Sequence, residues 1–215
     1  EDDQGNSYCT CIGASTLIQT ETGSKKLGDL KPGDILKTYN FKKQLVENQK
    51  LLMVYDHGGT NEHHLLIKTK SGKQIVLSKE HRIYLEGDND VMAKELQVGN
   101  MIRNIDGKEE VVSIEDYQDV PLTPVLLQGN IITESGAVVS CWSGTKENAD
   151  MIQKLLIMVM EMPEINTKST EEVSLILEGW YTKFRESNKD VNVVSDLLKL
   201  QGINIDNNKI IESLA

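Results

Sequence analysis

Few residues in this chain can do covalent chemistry. The three cysteines, Cys9, Cys11 and Cys141, form an odd set that no closed disulfide framework can absorb, so at least one thiol is left over. A thiol ionises to a strong nucleophile. An imidazole suits the proton transfers such a reaction needs, and His81 stands three residues after Ser78, at the end of the apolar run Ile75-Val76-Leu77. Taken one at a time these residues have bland readings, since a strand cysteine usually packs as a small hydrophobe and a histidine is usually a satisfied core or surface group. The remaining histidines, His57, His63 and His64, raise the question of zinc, but no paired-cysteine spacing accompanies them. They read as surface loop, and no metal is expected.

The elements that must hold these side chains are β-strands. From Cys11 to about Ser143 short β-branched runs alternate with Gly, Asn and Asp, at Thr16 to Gln19, Asp34 to Tyr39, Leu65 to Thr69, Gln74 to Leu77, Val111 to Ile114, Ile131 to Thr133 and Ala137 to Cys141. Turn signals such as Lys31-Pro32-Gly33-Asp34, Ser71-Gly72, Asp106-Gly107 and Ser135-Gly136 separate them. The segment Asp29-Leu-Lys-Pro-Gly-Asp-Ile-Leu-Lys returns as Glu95-Leu-Gln-Val-Gly-Asn-Met-Ile-Arg at an offset of 66, which predicts two related halves. After Gly144 the period becomes helical. Met151, Leu155, Met158 and Met162 share one stripe with Ile152, Leu156 and Val159 beside it, and Val173, Leu177, Trp180 and Phe184 form a second face behind a Ser169-Thr170-Glu171-Glu172 capping box. The expected organisation is a polar flank at 1–10, a mainly β domain at 11–143 and a helical region at 144–215.

Composition narrows the function classes. The formal charge of −10 argues against general affinity for nucleic-acid phosphates. The most apolar stretch, Leu155 to Met160, falls far short of the roughly 20 residues a spanning helix needs. The chain begins at Glu1 with neither a methionine nor an apolar signal core, so it reads as a fragment, with any targeting segment upstream.

Three blocks in order resemble one family. Cys11-Ile12-Gly13-Ala14-Ser15-Thr16-Leu17-Ile18 leads to Gly28-Asp29-Leu30-Lys31-Pro32-Gly33-Asp34. The second block is Ile75-Val76-Leu77-Ser78-Lys79-Glu80-His81-Arg82-Ile83-Tyr84. The third runs from Val120-Pro121-Leu122-Thr123 through Gly129-Asn130-Ile131-Ile132 to Val139-Ser140-Cys141-Trp142. Together they are similar to the Hint superfamily of hedgehog autoprocessing domains and inteins, with Ser78 where that family carries Thr in its Thr-x-x-His strand, and the third block resembles the hedgehog type in particular. The resemblance covers residues 11 to 142 and implies a Hint fold with pseudo-two-fold duplication.

The resemblance also implies a single-turnover autoprotease and acyl transferase. Cys11 attacks the carbonyl of Thr10 and replaces the peptide bond with a thioester, an intramolecular step that benefits from proximity. His81 protonates the departing nitrogen or first accepts the thiol proton, and Ser78 hydrogen-bonds near the scissile carbonyl. Asp56, in Leu52-Met53-Val54-Tyr55-Asp56-His57, maps onto the base that activates the incoming nucleophile, although an acid opening a Gly58-Gly59 turn is also a common structural feature. Cys141 resembles a cysteine that can pair with the nucleophile and hold it inactive until reduced. Cys9 would leave with the released product.

No cofactor is implied. The partners are an upstream polypeptide in cis and an acceptor, which is a sterol, another lipid, water or a small thiol. The Met-rich helix could serve a lipid acceptor or simply pack as core. Splicing is not expected, because Ser140-Cys141-Trp142 contains neither the Asn nor the His that the second junction of an intein requires. A Hint-fold binding module without turnover is the competing reading, since Thr10 is β-branched where hedgehog precursors have Gly and Ser78 is a second departure. The compartment is secretory or extracellular under the hedgehog-type reading, and cytoplasmic behind another protist-type domain.

Overall fold

The computed structural model describes residues 11–58, 62–86, 89–127, 130–141 and 146–186. The strands are β1 (Ile12–Gly13), β2 (Leu17–Thr20), β3 (Gly23–Lys26), β4 (Ile35–Asn40), β5 (Leu45–Lys50), β6 (Met53–Asp56), β7 (Glu62–Thr69), β8 (Gln74–Ser78), β9 (Arg82–Tyr84), β10 (Asp90–Met92), β11 (Met101–Asn104), β12 (Gly107–Asp119), β13 (Pro121–Val125), β14 (Asn130–Ile132) and β15 (Val138–Ser140). Among the described residues they form two sheets. One runs β11-β12-β7-β8-β1-β13-β6; the other runs β10-β9-β15-β14-β4-β2-β3, with β5 paired to β4.

The repeat seen in sequence is reproduced bond for bond. A 3-10 turn at Leu27–Asp29 leads into β4, and one at Ala93–Glu95 leads into β11. Asp34 Oδ2 accepts the Lys31 amide at 3.0 Å, and Asn100 Oδ1 accepts the Gln97 amide at 2.9 Å. The Gly33 amide donates to the Leu51 carbonyl and the Gly99 amide to the Val111 carbonyl, both at 2.8 Å. Gly33 and Gly99 sit at φ 95° and 91°, a left-handed conformation in which a Cβ is strained. The short acid or amide after each glycine closes the turn in the same way, so the two halves share one local solution.

Pairing, more than apolar alternation, sets the length of β12. The sequence shows a strand only at Val111 to Ile114, whereas the ladder runs from Gly107 to Asp119. Its first residues pair with β11 and the rest with β7, with a register break between Val111 and Ser113. A strand that serves two partners extends beyond its own buried face. The predominantly exposed β5 escapes hydrophobic pattern reading for a related reason: its backbone pairs with β4 along its whole length while its side chains face water.

The chain divides into two compact units, Glu1–Thr145 and Lys146–Ala215. The second holds α1 (Lys146–Met160), α2 (Pro163–Asn166) and α3 (Thr170–Glu186). The single helix expected through Met162 stops at Met160. Met162 instead becomes the N-cap of α2, and Pro163 takes the first helical position, where its missing N–H costs nothing. The predicted capping box is present. The Ser169 amide donates to Glu172 Oε2 at 2.8 Å, and the Glu172 amide donates to Ser169 Oγ at 3.2 Å. Leu155, Leu156 and Val159 are buried, whereas Met158 and Met162 are half-buried, so aliphatic side chains carry the packing that the methionine stripe was expected to supply. Residues 187–215 of the expected helical region, and the side chains of Met151, Ile152 and Phe184, lie outside what is described.

Candidate active site

Cys11 stands immediately before β1, a two-residue interior strand of its sheet, between β8 and β13. Ile12 pairs with Leu77 of β8 on one side and Leu122 of β13 on the other, and Leu122 pairs in turn with Asp56. One step back along β1, Cys11 falls opposite Ser78 and Thr123. Ser78 is registered with His64, His64 with Tyr117, and Thr123 with Tyr55. Because side chains alternate across a strand, these are two rows on opposite faces. The Ile12 row is apolar through Leu65, Leu77, Ile12 and Leu122 and ends on Asp116 and Asp56. The Cys11 row is Tyr117, His64, Ser78, Cys11, Thr123 and Tyr55, and every member except Tyr117 is buried.

Within the polar row Cys11 and Ser78 are joined twice. The Cys11 amide donates to Ser78 Oγ at 2.8 Å, and the Ser78 amide donates to the Cys11 carbonyl at 2.9 Å. The sequence reading put Ser78 near the scissile carbonyl. Its hydroxyl instead holds the amide nitrogen of Cys11, the atom that would leave if the bond ahead of Cys11 broke. His81 follows one turn later, its amide bonded to the Ser78 carbonyl at 3.0 Å, and its ring is buried. Its Nε2 lies 2.7 Å from the carbonyl oxygen of Ser140 on β15. That oxygen can only accept, so Nε2 carries the hydrogen, and in the neutral ring Nδ1 holds the lone pair.

Gly13 permits this close approach. A Cβ there would come within 2.5 Å of Val76 Cγ1 and of Asp119 Oδ2. Asp119 accepts from the Ser15 amide at 3.0 Å and the Ser15 hydroxyl at 2.5 Å, which pins the chain just after β1.

No protein-family model and no curated protein matches this chain. Solved structures do match. A bacterial intein-like domain from Clostridium thermocellum is 20% identical, with a TM-score of 0.55, covering 62% of this chain and 99% of that one. A variant of the Ssp DnaB mini-intein is 17% identical, with a TM-score of 0.55, over 65% of this chain and 99% of the other. A DnaB intein from Synechocystis is 18% identical, with a TM-score of 0.53, over 60% and 97%.

The chain has the Hint fold. Within it the structure brings Cys11 and Ser78 into contact and sets His81 in the adjoining turn, but it does not bring Asp56 to their face. Asp56 belongs to the Ile12 and Leu122 row, is exposed, and accepts the Gly58 amide through Oδ1 at 2.8 Å. It closes the local turn that was its structural alternative. Thr10 and Cys9 lie outside the described residues.

The cysteine pairing expected from the resemblance is also absent. Cys11 is disulfide-bonded, while Cys141 is a free, buried thiol and so is not its partner. Burial pushes the Cys141 thiol well above its ordinary pKa, and a hydrogen bond with the Ile131 backbone offsets this only in part, so the group stays protonated at neutral pH.

Two buried polar residues of the Cys11 row, His64 and Thr123, escaped sequence reasoning. His63 and His64 are on β7, not in a loop, and His64 is fully buried beside Ser78. Thr123 is buried on the other side of Cys11, and its hydroxyl lies 2.8 Å from Nε2 of His57. Only strand register could have exposed them, since neighbours in a row are far apart in sequence.

Proposed function

We propose that this chain is a self-cleaving, cysteine-dependent autoprocessing domain acting once on the Thr10–Cys11 bond. The observation that carries the reading is the Cys11 amide bonded to Ser78 Oγ at 2.8 Å within a buried polar row of a Hint fold. The nitrogen held by Ser78 is the leaving group of an N-to-S acyl shift. With its plane fixed, the thiol of the same residue has one carbonyl to attack, which turns positional entropy into rate.

In this reading the Cys11 sulfur forms a bond to the Thr10 carbonyl carbon, the carbon–nitrogen bond breaks, and the thiol proton ends on the nitrogen. His81 Nδ1 takes up that proton and returns it, acid–base assistance of roughly 100- to 10,000-fold. An external nucleophile then displaces the thioester: a sterol or other alcohol, water, or a thiol. The domain acts on the polypeptide ahead of Cys11, and its boundaries are residues 11–143. The disulfide at Cys11 favours a latent state as the second reading, a Hint-fold module that binds without turning over.

The test is mass spectrometry of the reduced full chain treated with hydroxylamine. Cleavage ahead of Cys11 is expected, with none in Cys11→Ala and at least tenfold slower cleavage in Ser78→Ala. Equal cleavage of the Cys11→Ala chain would remove the nucleophile from the mechanism.

A further inference from the structure

The second step of the proposed reaction needs a base on the face of the sheet where the thioester forms. Asp56 is in register with the opposite face, where its Oδ1 accepts the Gly58 amide. The next residue, His57, falls on the other face. Alternation along β6 puts His57 on the same face as Tyr55, and the two rings meet edge to face with centroids 4.9 Å apart. The His57 amide approaches the Pro121 carbonyl at 3.4 Å, so His57 continues the β6–β13 ladder one residue beyond Asp56. From there its ring reaches across to Thr123, Nε2 to Oγ1 at 2.8 Å. Thr123 is 1% exposed and comes opposite Cys11 when the β1–β13 register is carried one residue back from Ile12. Cys11 is thus bracketed by two hydroxyls: Ser78, bonded to its amide, and Thr123, bonded to an imidazole.

We infer that Thr123 and His57 form the proton relay that activates the incoming nucleophile and releases the acyl group from Cys11, in the place the resemblance gives to Asp56. The inference rests on the proposed thioester mechanism. As the nucleophile's oxygen attacks the thioester carbonyl, its proton passes to Thr123 Oγ1, and the threonine proton passes to His57 Nε2. The carbon–sulfur bond then breaks and Cys11 leaves as a thiolate. His57 returns a proton through Thr123 to that sulfur, so the residues end as they began. Thr123 meets the reacting atoms, and His57 acts through it. The pair is needed when the nucleophile is a weak one that must lose a proton, such as water or an alcohol. Hydroxylamine attacks without such help.

The experiment compares two rates in the reduced full chain: cleavage by hydroxylamine, and release by water or an added simple alcohol. His57→Gln is expected to keep the first within twofold and to slow the second at least tenfold. Thr123→Val should show the same split, and Thr123→Ser should restore water release to within threefold. Thermal unfolding of each variant establishes that it folds. The inference is overturned if His57→Gln leaves water release unchanged, or if it slows both rates equally with Thr123→Ser no better than Thr123→Val, the pattern of a packing role. It also fails if the unsubstituted chain releases nothing to water or alcohol, or if Asp56→Asn abolishes release while His57→Gln does not. Hydroxylamine failing to cut the unsubstituted chain would instead remove the thioester mechanism itself.

Discussion

At the scale of single residues, the two described cysteines differ in kind. Cys11 is fully buried and disulfide-bonded, and a sulfur in a disulfide has no thiolate to offer. Cleavage by hydroxylamine should therefore require prior reduction, with oxidised chain remaining intact by mass. The Cys141→Ser chain should show the same requirement, because Cys141 is a free thiol and not the partner of Cys11. Burial also raises the Cys141 pKa above the roughly 8.5 of an exposed thiol. In the folded chain Cys141 should resist iodoacetamide from neutral to mildly alkaline pH and react once urea unfolds it. Labelling of Cys141 in the native chain at neutral pH would contradict its placement.

At the scale of elements, the duplicated turns make a pH-dependent prediction. Burial of Asp34 acts to raise its pKa, but the Lys31 amide and the Lys25 ammonium together outweigh it and hold the carboxyl below its ordinary value. A carboxyl depressed in the folded state adds stability above the unfolded pKa of about 4, and that contribution is lost as pH falls through the folded value. Asn100 closes the equivalent turn without a charge. Asp34→Asn should therefore keep the turn at a cost of no more than about 1 kcal/mol at pH 7, and should flatten the loss of stability between neutral and acid pH. Urea unfolding at several pH values measures both effects. An Asp34→Asn chain whose pH profile matches the unsubstituted one would show that the carboxylate is not what responds.

At the scale of the whole molecule, two residues hold distant parts of the chain together. β1 pairs with β8 and β13, so the strand that follows Cys11 is stabilised almost wholly by segments far from it in sequence. Gly13→Ala would drive a Cβ into Val76 and Asp119. Such overpacking typically costs about 1–3 kcal/mol. The urea midpoint should fall by a corresponding amount, and hydroxylamine cleavage should fall with it, because β8 carries Ser78. Stability unchanged by this substitution would mean that the strands can separate freely at the site. In the described part of the helical unit no helix is long and apolar enough to cross a membrane.

Much of this protein was legible in its amino-acid order, because short-range physics decided it. β-branched runs and glycine turns marked the strands, the repeat at an offset of 66 marked two turns now seen to share the same bonds, and Ser169 with Glu172 marked the start of α3. The resemblance carried by three motifs put Ser78 near the carbonyl ahead of Cys11, and in the structure its hydroxyl holds the Cys11 amide instead. What the linear chain could not carry was which face of a strand each side chain occupies. Register is set by pairing between segments dozens of residues apart, and a shift of one residue moves a side chain to the other face. That is why adjacent residues in sequence, Asp56 and His57, part company in space. Tertiary pairing puts the Asp56 carboxylate on the face away from Cys11, and it brings the His57 imidazole, through Thr123, to the Cys11 side.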